Sequence, residues 1–150
     1  MLAWKAACWF LVLSSSLLSL QGAETVIGSV KTAEGGATVH RGSETIPARE
    51  GFHLLLNDTL QTPAGGRLGA ILQDGTRISL GPNTELKIDQ FVYDPAAGKF
   101  GLLLRLGRGV MAYISGKIAQ FSPGSATVET PVGVLGLRGT HIAVSLEGMQ

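Results

Sequence analysis

The chain carries one cysteine, Cys8, among its 150 residues. That excludes an internal disulfide framework and a thiolate zinc site. Aromatic residues make up 6% of the chain, and both tryptophans, Trp4 and Trp9, lie near its start. Charged residues are also sparse, at 15%, with a net charge of +1 and no Lys/Arg cluster. Nucleic acid is therefore not expected as a partner, because phosphate binding needs concentrated positive charge. The three histidines, His40, His53 and His141, stand alone, without the paired spacing that metal ligands show. No metal or other cofactor is expected. A phosphate loop needs Gly-Lys-Ser/Thr opening a helix, and a serine hydrolase elbow needs Gly-x-Ser-x-Gly; neither is present.

Only one long apolar run exists, residues 6–20. Lys5 precedes it, and Gln21-Gly22-Ala23 follows it ahead of Glu24-Thr25. A basic start, an apolar stretch and small residues before a polar one are the layout of a secretory signal peptide. The run falls short of the roughly 20 apolar residues of a membrane span. Cleavage is expected after Ala23; an uncleaved N-terminal anchor is the alternative. Cys8 follows too few residues to be a lipidation site. Without residues 1–23, a Cys-free chain with balanced charge remains, enough for one core. The expected location is periplasmic or secreted, and residues 24–150 are expected to form one domain.

What the chain has in quantity is alternation. Leu54, Leu56, Leu60, Leu68, Ala70, Leu72, Ile78, Leu80, Leu86 and Ile88 all fall on even numbers. Polar residues or glycine stand between most of them. A period of two marks strands with one buried face. Asp74-Gly75-Thr76 and Gly81-Pro82-Asn83 punctuate the strands as turns. Strands are expected at 26–30, 37–41, 52–56, 59–61, 68–72, 77–80, 85–89, 99–106, 110–114, 126–129, 132–135 and 140–146. Residues 94–98 read as a hairpin loop, and no helix is expected. The even rule continues through Val110, Ala112 and Ile114, and through Val132 and Val134, to Leu146. The fold class is all-β, either β-solenoid-like or a twisted β-sandwich. In an antiparallel arrangement, Leu72 would pair with Ile78 and Ala70 with Leu80.

Several blocks share an order. Residues 51–62 carry Gly51, Leu54, Asp58, Leu60 and Thr62. Residues 68–80 contain Asp74 and Gly75. Leu103, Gly107 and Val110 follow, then Val128, Thr130, Pro131, Arg138, Gly139, Thr140, Ile142 and Val144. In this order they resemble the FecR domain family, with Val30, Val39 and Gly42 fitting its opening. The resemblance implies an all-β, solenoid-like domain outside the cytoplasmic membrane. In the best-understood relatives, that domain relays the state of an outer-membrane receptor to a sigma factor. No sigma-binding helices precede the apolar run, and no receptor-docking subdomain follows Leu146. A stand-alone exported module is therefore expected, with another envelope protein as partner and an oligomeric state left open.

The motif residues have structural readings. Asp58 interrupts the inward-facing series and is read as a turn cap, taking N–H bonds from Leu60 or Thr62. A site carboxylate paired with Arg138 or Arg67 is the alternative. Asp74, Asp89 and Asp94 read as turn or strand-end residues. Pro131 breaks a strand. The second apolar series Leu103, Tyr113, Leu135 and Leu137 is either another core layer or a partner-docking face. A non-catalytic binding module is the main reading, and an accessory role in iron-uptake-type signalling is its alternative. A carbohydrate-active enzyme is a further alternative; it would need Asp58, Asp89 and Glu129 to converge.

Overall fold

The structure, a computed structural model, describes residues 24–146. The expected signal peptide and its cleavage point, and residues 147–150, lie outside the described residues. The elements are β1 (Val26–Glu34), β2 (Thr38–Arg41), β3 (Glu44–Pro47), β4 (His53–Leu55), β5 (Thr59–Gln61) and β6 (Arg67–Leu72). There follow β7 (Arg77–Leu80), β8 (Glu85–Asp94), β9 (Lys99–Ile114), α1 (Lys117–Phe121), β10 (Ala126–Thr130), β11 (Gly133–Gly136) and β12 (His141–Leu146).

The fold is all-β. Its strands form one curled sheet in the order β3-β2-β5-β8-β9-β7-β6-β1-β4. The N-terminal half of β9 lies between β8 and β10, and its C-terminal half between β7 and β12. Every pairing is antiparallel except β9 with β10. A solenoid stacks its strands in parallel, so the antiparallel alternative is the one realised. One half of the sheet (β1, β4, β6, β7, β12) curls against the other (β2, β3, β5, β8, β10, β11), and β9 runs through both. A single apolar cluster lies between them, including Val30, Leu54, Leu60, Ile78, Leu86, Ile88, Leu104 and Tyr113.

Even residues are buried as expected up to Leu106 in the strand centres, from Leu54 and Leu60 through Leu68, Ala70, Leu72, Ile78, Leu80, Leu86 and Ile88. Leu56 is an exception; it sits past the end of β4, beside Asn57 at φ 69°, and is exposed. Along the rest of β9 the rule inverts, although even Ala126, Val128 and Val144 are buried again further on. Glu85 faces Arg108 while Leu86 faces Leu106, so Gly107 is an extra residue without a partner. A bulge of one residue exchanges the two faces of a strand. Met111 and Tyr113 are buried in consequence, and Ala112 is exposed. The expectation that Val110, Ala112 and Ile114 continue the inward series is overturned here.

Gly109 completes this bend. Its φ is +91°, and a Cβ there would meet Thr84 Oγ1 and lie within 2.6 Å of Asn83 O. Thr84 holds the bend from the other side: its Oγ1 accepts from Val110 N at 3.0 Å. Thr62 extends the same knot, donating to Gly81 O at 2.6 Å and accepting from Thr84 N at 3.0 Å. Thr62 thus joins two turns. The bend keeps β9 continuous where two strands, 99–106 and 110–114, are expected.

Three further differences have local causes. The β6–β7 hairpin pairs Ala70 with Ile78 and Leu68 with Leu80, two residues from the expected register. Asp74 Oδ1 accepts from Thr76 N at 3.0 Å, and Leu72 N donates to Thr76 O at 2.8 Å. These bonds set Thr76 across from Leu72, with Gly75 at φ +86° closing the turn. β3 escapes the periodicity because it is an edge strand with only Ile46 half-buried and no inward series to read. α1 has five residues, too few to show a helical period.

The helix is started by a residue from elsewhere in the chain. Its N-cap, Gly116, has no side chain to offer. Asp74 supplies the acceptor instead: Oδ2 takes Ile118 N at 3.2 Å, and its carbonyl takes Lys117 N at 2.8 Å. Gly116 is buried against this turn, where a Cβ would land on Thr76 N and within 2.7 Å of Asp74 O. Overpacking against backbone cannot be relieved by a rotamer change. Gly116→Ala should therefore destabilise the protein by about 2–3 kcal/mol in urea unfolding. Gly124→Ala, with nothing within 4 Å of its Cβ, should stay within about 0.5 kcal/mol of the parent. Equal midpoints for the two variants would refute the role given to Gly116.

Candidate functional site

Asp58 follows the tight turn that leaves β4, and its side chain is 1% exposed. Burying a carboxylate costs several kcal/mol unless its oxygens are satisfied. Three donors supply this. Arg41 Nε gives to Oδ1 at 2.9 Å, Arg41 Nη2 gives to Oδ2 at 2.7 Å, and Leu55 N gives to Oδ2 at 2.8 Å. The residue is both a turn cap and half of an ion pair. Its partner is Arg41, not Arg138 or Arg67, and its amide donor is Leu55, not Leu60 or Thr62. Sequence spacing had no means of finding Arg41: it lies on β2, and the curl of the sheet brings it over the β4–β5 turn.

Arg41 is held on every side. Nη2 also donates to His53 O at 3.0 Å, and the guanidinium lies 5.2 Å from the centre of the Phe52 ring. The bond to Asp58 raises the guanidinium still further above its ordinary range. Its side chain forms one wall of a cleft of about 550 Å³. Val26, Ile27, Leu55, Leu56, Phe91 and Tyr93 give this cleft an apolar lining. A concave apolar site with one fixed polar group is the usual form of a ligand site. Glu24 lies at the same cleft, so its charge does not select an anion.

Asp74 is a second buried carboxylate, and neutral donors satisfy it: Thr76 N, Thr76 Oγ1 and Ile118 N. Its position is internal and structural. Tyr113 packs nearby, and its hydroxyl has no hydrogen-bond partner. Burial pushes the Tyr113 phenol up, and the Asp74 carboxylate adds to the rise. Thr76 opposes it weakly, but its hydroxyl is already donating to Asp74. Of the two readings of the Leu103–Leu137 series, the core layer is the one realised at Tyr113, which the bulge at Gly107 turns inward.

The closing motif folds as a hairpin with an exposed tip. Thr130 Oγ1 donates to Gly133 O at 3.0 Å and accepts from Val132 N at 3.3 Å, which makes the turn around Pro131. Arg138 is exposed and forms no ion pair among the described residues. Gly139 has φ +120°, and Thr140 O accepts from Ser115 N at 3.0 Å as the chain returns to β9. Val132 is 70% exposed and Val134 65%, against the expectation that both point inward. The cause is the two-residue turn Pro131-Val132: Thr130 pairs with Gly133, so the parity reverses and Val134 lies beside Glu129 on the outer face, while β11 pairs with β10 alone among the described residues. Leu137 is fully buried, as the core-layer reading of its series has it. Leu135 sits beside buried Val128, on the continuation of the core face, and is half exposed.

The histidines do not come together, and no His/Cys/Asp/Glu group among the described residues could hold a metal ion. His40 accepts or donates within its own hairpin, 3.0 Å from Thr45 Oγ1. Two of the three inspected carboxylates do converge. Arg105 Nε reaches Asp89 Oδ2 at 2.8 Å and Glu129 Oε2 at 3.0 Å. Asp58 is not among them. Arg105 thus engages one oxygen of each carboxylate.

A family model described as FecR protein matches residues 58–150, more than half of the chain. The chain belongs to the FecR family. No curated protein and no solved structure matches it. The FecR match begins at Asp58, the buried partner of Arg41. It includes the bend of β9, the Asp74 turn and the exposed β10–β11 hairpin, while β1–β4 precede it. Asp58, Thr62, Asp74, Gly75, Thr130, Pro131, Arg138, Gly139 and Thr140 thus all fall within the FecR region. No helix among the described residues is long and apolar enough to cross a membrane.

Two variants test these assignments. Asp58→Asn leaves Arg41 without its counter-charge and should cost about 2–3 kcal/mol, less than for a fully buried pair because the Arg41 side chain is 30% exposed. Exposed Asp94→Asn should stay within about 0.5 kcal/mol, and chemical denaturation compares the two. Tyr113→Phe removes an unpartnered buried hydroxyl and should be neutral or stabilising at pH 7. A folded-state phenol raised above 10.0 keeps its contribution below pH 10 and loses it as the pH rises further. The parent should lose stability above pH 10 more steeply than Tyr113→Phe; superimposable alkaline profiles would contradict the assignment.

Proposed function

We propose that this FecR-family chain is an exported, non-catalytic binding or scaffolding module of the bacterial envelope. Its partner is another envelope protein, which adds an extended strand to the β11 edge. The observation that carries this reading is the exposed apolar hairpin with a row of β11 backbone groups that no other described residue pairs. Of the other edges among the described residues, β3 and β4 carry protections, whereas β12 is uncharged but lacks the exposed valines of the β10–β11 hairpin. β3 has Glu44 and ends in Pro47, and β4 has only three residues. Charge, proline and short length are the usual means of blocking strand addition. β11 has none of the first two, and its sequence, Gly133-Val134-Leu135-Gly136, is wholly uncharged. An added strand gains main-chain hydrogen bonds from the edge and side-chain contact from Val132, Val134 and Leu135.

Membership of the FecR family supports an envelope signalling context, since its best-understood members relay receptor state across the envelope. An accessory role, contacting a receptor or regulator encoded elsewhere, is the alternative within that context. The signal-peptide layout of residues 1–23 supports export, with cleavage after Ala23.

The test is photo-crosslinking from position 134 in intact cells. One reproducible adduct with a single envelope protein is expected. Val134→Lys should abolish the same partner's capture by the tagged chain while leaving the unfolding midpoint within about 0.5 kcal/mol, because the side chain is exposed. An adduct set no different from that at exposed position 97 would remove the reading.

A further inference from the structure

The outer face of the other half of the sheet carries a different signature. Cross-strand pairs place residues of β1, β6, β7, β9 and β12 in rows on that face. One row is Ser29, Ile71, Arg77, Ile114 and His141. The next is Thr32, Gly69, Ser79, Ala112 and Ala143. Directly opposed residues share a face, and buried Ala70 and Ile78 occupy the other one. Five strands span about 19 Å, so this is a two-dimensional surface rather than a groove.

Its charge is one-sided. Lys31 and Arg77 line the same shallow depression of about 300 Å³, together with Thr32, Gly69 and Ser79, and no carboxylate lines it. Neither row contains a carboxylate; Glu34 lies beyond them, across from Arg67. Neither Lys31 nor Arg77 takes part in an ion pair among the described residues. On the β8–β9–β10 face, by contrast, Lys87, Asp89, Arg105 and Glu129 bind one another. A chain with almost no net charge thus presents paired charges on one face and unpaired cations on the other.

The relief of the face decides what it fits. In the second row Gly69, Ser79, Ala112 and Ala143 lie low, and neither row contains Phe, Tyr or Trp. Protein interfaces are dominated by aromatic and Arg anchors seated in pockets, and sugar or base recognition uses aromatic stacking. An isolated small anion would gain little from two exposed cations, since exposed ion pairs are weak. A plane of repeated phosphates satisfies both cations at once and needs no anchor.

We infer that this face docks on an anionic lipid surface, with Lys31 and Arg77 set against headgroup phosphates. The inference is independent of the β11 reading, because it uses a different half of the sheet. The experiment is flotation of the full chain with vesicles of phosphatidylglycerol and phosphatidylcholine, against phosphatidylcholine alone. Insertion of the apolar run 6–20 would act on both vesicles alike, so the readout is the excess on anionic vesicles. The excess should fall with added salt, and by about 30-fold in the double variant Lys31→Gln/Arg77→Gln. Lys87→Gln, on the ion-paired face, should leave it unchanged. Equal binding to both vesicles, or an excess that survives the double variant, overturns the proposal. So does an excess lost equally in Lys87→Gln, or binding to soluble dextran sulfate with none to vesicles.

Discussion

The bend of β9 is the constraint on which the rest of the molecule depends. One strand supplies hydrogen bonds to β8 and β10 along its first half and to β7 and β12 along its second. It can do so only if its side chains change face where it passes from one half of the sheet to the other. Gly107 provides the extra residue, and Gly109 the positive φ and the missing Cβ. Thr84 and Thr62 occupy the space so created and link the turn at Gly81 to it. With the bend in place, Leu102, Leu104 and Leu106 reach the core from one side, and Met111 and Tyr113 reach it from the other.

Two buried carboxylates serve the same architecture by different physics. Asp58 is neutralised by a guanidinium, and that ion pair ties β2 to the β4–β5 turn across the curl. Asp74 has no cation and relies on three N–H or O–H donors, which tie the β6–β7 turn to α1. A charge-balanced carboxylate can sit beside a solvent-filled cleft. One held by neutral dipoles is better placed inside, where water cannot compete for the same donors. The two positions match this division: Arg41 lines the open cleft, and Asp74 caps a buried helix start.

The strands were legible wherever one face is buried and the other wet, because that is the condition for a period of two. From Leu54 to Leu106 the alternation reported burial nearly residue by residue. It failed at three kinds of place. At Gly107 a single unpaired residue reversed the parity, and no composition signal separates a bulge glycine from a turn glycine. β3 has no inward series to read, and at β11 the two-residue turn Pro131-Val132 reversed the parity, so Val132 and Val134 look inward by number and are exposed in fact. At α1 one helical turn is too short for any period. Asp58 stood out as the exception on the inward face, and it is half of the ion pair beside the cleft. Arg41 did not stand out, because an ion pair across 17 positions leaves no trace in spacing.

The same balance of charge that rules out a basic patch in the sequence hides how the charges are arranged. Acidic and basic residues alternate across β8, β9 and β10 and cancel locally, with Arg105 serving two carboxylates. Because those carboxylates are engaged, they cannot neutralise Lys31 and Arg77 on the far side of the sheet. Segregation of this kind costs the folded state little, since exposed charges separated by more than a Debye length scarcely interact. Its consequence lies in what each face can meet. The paired face offers a partner no net field. The face of β1, β6, β7, β9 and β12 offers a positive one over a low surface, and the β11 edge offers hydrogen bonds and apolar contact with no charge at all. Three surfaces with such different chemistry do not compete for one ligand, so one curled sheet can hold a neutral strand at one edge while its cationic face remains free.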